Sequence, residues 1–438
     1  MQKLSSSSRS KRQRAKRAWT IGILSAVCLS QAFAVEHAHA HQQPLRLEIV
    51  LMRHGVRAPT ATNAALSTYS NQAWPNWPVD AGFLTPHGED VMTALGQRYR
   101  KEYLKRGLLQ DGCNADRVVT VSDSTPRNQL STQAFLSGFQ PHCVAAFRVA
   151  KNAAVNPLFH FPDAATDKSS KIDVVPPDAA LPALAELQRV LLGCDGPACW
   201  SAAVANNKTL LWQGSPQPKA LKNAGTLSEN IMLEYAEGMP LSQVGWGHVD
   251  AATISRLITL HNTSFELTKE ALPKAAHSGS NLLAHILATL QEAAGQTSDS
   301  VPLAPAGTRS LLLMGHDSNF AYLAGLLATR WETKNQPDRF PPGGALVFDL
   351  TQNKRGYYVT VRTKMPMLSA LRQADFRAHS AMQTTTLRLE ACGGERSCPL
   401  SQFVSWATAR LDQSDIQHDL PAMIETSAPI QSSGNSDD

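Results

Sequence analysis

The chain reads as an α/β protein: a mixed, mainly parallel sheet flanked by helices, with an inserted, mainly helical subdomain. Three observations predict this. Apolar strand-like runs at 45–52, 117–122 and 310–314 each end at or shortly before a group of charged residues, and sites in open α/β sheets lie outside the carboxyl ends of the strands. Helical periodicity at 91–106 and 281–294 supplies cover for the faces of such a sheet. Between about Asn156 and His277 the pattern changes to proline punctuation, then to helical spacing at 184–192, 228–237 and 252–272.

These elements divide the chain into a first α/β part at 41–155, a helical insertion at 156–277 and a second α/β part at 278–411. Runs at 345–350 and 357–363, separated by a polar turn, read as a hairpin at one edge of the sheet. Residues 412–438 read as a polar C-terminal tail that frays.

With 438 residues, 43% of them hydrophobic, the chain can bury a large core and is neither disordered nor collagenous. Its net charge of +5 does not imply nucleic-acid binding, because residues 1–34 hold seven basic side chains and no acids, leaving 5 − 7 = −2 for the rest. That leader has a basic start, an apolar stretch from Ala18 to Ala34 and the small-x-small sequence Ala32-Phe-Ala34, the pattern of a signal peptide over 1–34. Cleavage after Ala34 is expected, with Ala38-His-Ala40 offering a second position. The apolar run falls short of the roughly 20 residues of a membrane span, so stable membrane anchoring is not expected.

Chemistry concentrates in Leu47-Glu-Ile-Val-Leu-Met-Arg-His-Gly-Val-Arg-Ala-Pro-Thr60, where a strand delivers His54 between Arg53 and Arg57. A neutral imidazole can attack a phosphoryl group and carry it covalently. Arginine forks bind phosphate oxygens and neutralise their charge during transfer. Gly55 allows a tight turn there and Pro59 fixes the chain soon after.

A second run, Ser310-Leu-Leu-Leu-Met-Gly-His-Asp-Ser-Asn319, reads as a buried strand ending in His316-Asp317, with a helical pattern over 320–327. Taken alone, Asp317 ahead of a helix reads as an N-cap. A third run, Val118-Val-Thr-Val-Ser-Asp-Ser-Thr-Pro-Arg127, puts an arginine shortly after a strand.

The match R-H-G-x-R-x-P at 53–59, with His316-Asp317, resembles the histidine acid phosphatase family, and within it the bacterial periplasmic branch of phytases and glucose-1-phosphatases. The resemblance implies a periplasmic phosphomonoesterase with His54 as nucleophile and Asp317 as proton donor to the leaving alcohol. Arg53, Arg57, Arg127 and His316 form its phosphate clamp. It calls for no cofactor and no metal. A phosphate dianion beside Asp317 would raise that carboxyl's pKa, so acid operation is expected.

Once the leader and Cys28 are removed, six cysteines remain, and an even count in an exported chain suggests disulfides. Neighbouring positions suggest Cys113 with Cys143, Cys194 with Cys199 and Cys392 with Cys398, and bridges at comparable places occur in that bacterial branch. Free buried thiols are the alternative.

The substrate signals are divided. Trp74-Pro-Asn-Trp-Pro78 and Thr60 resemble the phytase side, but Ala61 stands where phytases carry a lysine. Glu234-Tyr-Ala-Glu-Gly-Met-Pro-Leu-Ser-Gln-Val-Gly-Trp246 and Asp317-Ser-Asn319 resemble the sugar-phosphatase side. There Glu237 falls at a pocket position, where a carboxylate would repel extra phosphates; the alternative is a solvent-facing residue at a helix end. The expectation is a preference for sugar phosphates of the glucose 1-phosphate type, with a phytase as alternative. A phosphate-ester binding protein without turnover is the alternative of another class. The physiological ester and the oligomeric state are not legible in the sequence.

Overall fold

The computed structural model describes residues 44–151, 156–160, 174–333 and 336–427, and every statement below concerns these. The signal peptide expected at 1–34 and residues 428–438 lie outside them.

In chain order the elements are β1 (Leu45–Arg53), α1 (Asn63–Leu66), α2 (Pro86–Arg106), β2 (Val118–Ser122), α3 (Pro126–Phe139) and β3 (Ala146–Ala150). A helical stretch follows: α4 (Leu181–Leu192), α5 (Pro197–Ala205), α6 (Ala220–Ala236), α7 (Ala251–Leu257), α8 (Thr259–Thr268) and α9 (Leu272–Ala293). The chain then returns to the sheet with β4 (Ser310–Gly315), α10 (Asp317–Leu326), β5 (Ala345–Asn353), β6 (Gly356–Pro366), α11 (Leu368–Gln373), β7 (Met382–Thr386), β8 (Cys398–Pro399), α12 (Leu400–Thr408) and β9 (Met423–Ser427).

Among the described residues, nine strands form one mixed sheet in the order β7-β6-β5-β1-β4-β2-β3-β9, with β8 against β6. The parallel character is confined to its centre, where β1, β4, β2 and β3 run side by side. Antiparallel partners close both flanks. Successive residues of β1 point to opposite faces: Leu47, Ile49 and Leu51 enter a core with α9 and α10, Val50 and Met52 a second core with α2, α3, α4 and α6. Burial on both faces explains why β1 and β4 read as nearly continuous apolar runs.

Helices α2 and α3 cross on reciprocal glycines. A Cβ on Gly96 would lie 2.1 Å from the Phe135 carbonyl oxygen, and one on Gly138 2.1 Å from that of Thr93. This crossing fixes the C-terminal half of α3 against α2.

Four expectations need correction. The hairpin of β5 and β6 forms but is not an edge, because β7 pairs beyond β6. The helix expected over 252–272 is interrupted at Ile258 and ends at Thr268; Leu272 belongs to α9, whose first turn holds Pro273, a position where proline begins rather than continues a helix. The helices expected over 91–106 and 281–294 begin earlier, at Pro86 and Leu272. Finally, the polar segment after 411 contributes β9, an edge strand antiparallel to β3. Its ladder is made by backbone groups while its side chains stay largely exposed, so it carries no apolar signature. All three neighbouring disulfides are formed. No helix among the described residues is long and apolar enough to cross a membrane.

Helix α6 carries an unusual buried acid. Glu234 accepts one hydrogen bond, from the Gly245 amide at 2.8 Å, while its other carboxyl oxygen has no partner, and burial pushes its pKa up to about 8. A carboxyl raised on folding stabilises the fold fully below its unfolded pKa. That contribution is lost as pH climbs from 4.5 towards about 8, and amounts to several kcal/mol in order of magnitude. Glu234→Gln is therefore expected to gain on the wild type as pH rises, its melting temperature moving from near or below the parent's at pH about 5 to several degrees above it at pH about 8. Parallel melting curves over that range would mean that Glu234 does not titrate on unfolding.

Candidate active site

The ends of β1 and β4 lie side by side, with Arg53 opposite Gly315, and the His54 amide donates to the Gly315 carbonyl at 3.2 Å. One parallel pair of strands thereby delivers the two dense motifs to one place. The third arrives with β2, where Asn128 in the first turn of α3 donates to the Met314 and Gly315 carbonyls at 3.1 and 2.8 Å. Thus Arg53, His54, Arg57, Arg127, His316 and Asp317 are brought together.

His54 is buried, and its Nδ1 lies 2.9 Å from the Gly55 carbonyl oxygen. A carbonyl can only accept, so Nδ1 carries the proton and the neutral ring keeps a lone pair on Nε2. Burial first, then Arg127, Arg53, His316 and Arg57, hold the imidazole well below its ordinary pKa. The ring therefore favours its neutral form.

Gly55 serves packing rather than turn geometry. A Cβ there would come 2.8 Å from both the Gly88 carbonyl oxygen and Met92 Cγ, so any side chain would push the loop off α2.

The cations are arranged around carboxylates, of which Glu229 and Asp338 lie outside the sequence motifs. Arg53, fully buried, donates to Glu229 and to the Phe340 carbonyl, and its Nη2 lies 2.9 Å from Asp317 Oδ2. Arg57 donates to the other Glu229 oxygen at 3.1 Å. Burial opposes the charge on Glu229, but Arg57, Arg53 and His261 outweigh it and lower its pKa. Asp338 lies 4.0 Å from Arg53 and 3.8 Å from His261.

Arg127 Nη2 lies 3.3 Å from His316 Nδ1. Its pKa is lowered by burial and by Arg57, and that of His316 by burial, with His160 and Arg127 adding to it against the opposing pull of Asp123. Buried cationic groups gathered this closely suit an anion.

His316 is the N-cap of α10 and its amide donates to Asn319 Oδ1 at 2.8 Å. Asp317 is therefore the first helical residue and not the cap. Burial alone would raise its pKa, but Arg53, His261, Arg57 and His316 together hold it below the ordinary carboxylate range. Behind His316, Asp123 accepts from Nε2 at 2.9 Å. Asp123 is likewise held low: burial raises it, but hydrogen bonds from His160 and His316 prevail.

The two pocket expectations fare differently. Thr60 is exposed beside Gly82. Glu237, at the C-cap of α6, accepts from Thr85 Oγ1 at 2.6 Å; Thr85 also lies against the Val56 carbonyl, two residues after His54. Burial raises the Glu237 pKa, so in acid its power to repel phosphates is reduced. The two motifs that point to different substrates meet in space: the Trp74 and Trp246 rings lie 4.9 Å apart, and Trp246 Nε1 donates to the Ala73 carbonyl at 2.7 Å.

A buried neutral imidazole facing three guanidiniums and a carboxyl, at the carboxyl end of a parallel strand pair, defines a phosphoryl-transfer site of the histidine type. The chain belongs to the histidine phosphatase superfamily (branch 2), whose family model matches residues 45–189, and is a phosphoric monoester hydrolase of the histidine acid phosphatase class.

It is 30% identical over 354 residues to Phytase AppA of Escherichia coli, spanning 72% of this chain and 79% of that protein. It is 26% identical over 407 residues to Glucose-1-phosphatase of Salmonella typhimurium, spanning 87% and 96%. Among solved structures, Hafnia alvei phytase in complex with tartrate superposes with a TM-score of 0.75 at 27% identity, covering 85% of this chain and 98% of that one.

Proposed function

We propose that the protein is an exported acid phosphomonoesterase acting through a phosphohistidine, with sugar monophosphates as preferred substrates. The His54 Nε2 lone pair attacks phosphorus and the P–O bond to the alcohol breaks. Asp317 gives its proton to the departing oxygen. Water then attacks the phosphohistidine, Asp317 takes a proton from it, and phosphate leaves His54 neutral again. Arg53, Arg57, Arg127 and His316 hold the oxygens on which charge accumulates. The observation that supports this chemistry best is the commitment of Nδ1 to the Gly55 carbonyl, which leaves Nε2 as the free nitrogen.

The substrate preference follows from charge. Arg53, Arg57 and Arg127 face Glu229, Asp317 and Asp123, three cations against three carboxylates. With Asp317 protonated as the acid, one positive charge remains for the phosphate being transferred and none for a second, and Ala61 adds none beside Thr60. The relative from Escherichia coli, named a phytase, favours the second reading, hydrolysis of inositol hexakisphosphate. Steady-state kinetics in acid on glucose 1-phosphate and phytate decide between them. A higher kcat/KM on glucose 1-phosphate is expected, and a higher value on phytate would overturn the preference.

A further inference from the structure

We propose a divalent transition-metal site on the far side of His316, formed by Asp123, His160 and His316, which takes Zn(II). Three donor atoms converge there. His160 Nε2 lies 2.9 Å from His316 Nε2, His316 Nε2 lies 2.9 Å from Asp123 Oδ2, and His160 Nε2 lies 3.4 Å from the same oxygen. Ligands about 2.1 Å from an ion stand roughly 2.9 to 3.4 Å apart at octahedral to tetrahedral angles. Two imidazoles and one carboxylate are a donor set suited to Zn(II).

Hydrogen bonding does not account for the triangle. Arg127 has only protons to give, so its contact at His316 Nδ1 makes that nitrogen an acceptor and leaves the neutral ring's one proton on Nε2. With a proton on each Nε2, both must point at the one oxygen Asp123 Oδ2 while the two nitrogens stand 2.9 Å apart, and with a proton on His316 alone, that proton cannot serve both His160 and Asp123 well. The triangle's oxygen, Asp123 Oδ2, also accepts from the Thr125 amide at 3.2 Å, while the other carboxyl oxygen, Oδ1, is buried and has no partner among the described residues. A metal ion satisfies this group of atoms where hydrogens do not.

A second cluster, Glu229, His261 and Asp317, gathers equally closely, but Arg53 already stands between its carboxylates. Among the described residues no arginine or lysine contact enters the Asp123 triangle; Arg127 touches the opposite edge of the His316 ring. An ion on Nε2 moves the ring proton to Nδ1, where it opposes the Arg127 N–H. The contact between Arg127 and His316 then breaks and the clamp is disturbed, so where His316 binds phosphate as proposed above, Zn(II) slows turnover.

The test is equilibrium dialysis of the whole, metal-stripped chain against Zn(II) at neutral pH, for wild type, His160→Asn and His160→Gln. His37, His39 and His41 are present in all three, so ions held by them cancel. Wild type is expected to bind one more ion per chain, or to bind it at least about tenfold more tightly, than either variant. Equal uptake by wild type and a folded variant, judged by circular dichroism, would overturn the proposal. Uptake is read without turnover, so failure of the phosphatase mechanism and failure of the metal site are separately visible.

Discussion

Replacing His54 by alanine is expected to reduce phosphate release from monoesters by roughly 10⁴-fold or more, the order lost when a covalent nucleophile is removed from a site whose parts act as a unit. The imidazole is buried and neutral, and its Nδ1 is held by a carbonyl one residue away. Little reorganisation therefore separates the resting ring from the attacking one. Rapid quenching of wild type with a radiolabelled ester should trap a phosphoenzyme that is labile to acid and stable to alkali, as a phosphoramidate is and a phosphoserine is not; the alanine variant should form none. Binding should survive the substitution, because Arg53, Arg57 and Arg127 are anchored independently of the ring. A variant that kept a tenth of the activity, or a trapped intermediate with the opposite stability, would exclude His54 as nucleophile.

Both the residues that can be named from the sequence and those that cannot have a physical explanation. Arg53, His54 and Arg57 lie within five residues at the end of one strand, and His316 and Asp317 at the end of another. Because strands deliver consecutive residues to one place, such clusters remain clusters in the fold. Glu229 is 176 residues from Arg53 along the chain and sits on α6 between Ser228 and Asn230, so nothing local marks it. Its role exists only because α6 packs over the sheet. The same holds for His261 on α8 and for His160, whose partners come from β2 and the turn after β4.

Secondary structure was legible where burial imposes a pattern, as in β1 and β4. It was not legible where backbone pairing alone makes the element, as in β9. Trp74 and Trp246, one from each substrate motif, belong to one packed pair, so neither can be read as a specificity signal without the other.

The Asp317→Asn variant tests the other half of the chemistry, and there the structure imposes a condition that the motif does not. A proton donor must arrive protonated, yet Arg53, His261, Arg57 and His316 outweigh burial and hold the Asp317 carboxyl below the ordinary carboxylate range. The proton then has to come with the ester. A phosphate monoester loses its second proton at about pH 6; below that it enters as a monoanion, and the phosphate, drawing on the same Arg53 N–H groups, raises the Asp317 pKa until the carboxyl takes the proton.

Above that pH neither partner brings one, so kcat/KM is expected to fall about tenfold per pH unit on the alkaline side. In Asp317→Asn, kcat on an alkyl phosphate is expected to drop by roughly 10² to 10⁴-fold, the usual contribution of a general acid. Nitrophenyl phosphate should lose far less, because nitrophenolate departs without protonation. Equal losses on the two esters would show that Asp317 acts only as a partner for Arg53. A wild-type rate unchanged at pH about 8 would mean that the proton on the leaving oxygen comes from elsewhere.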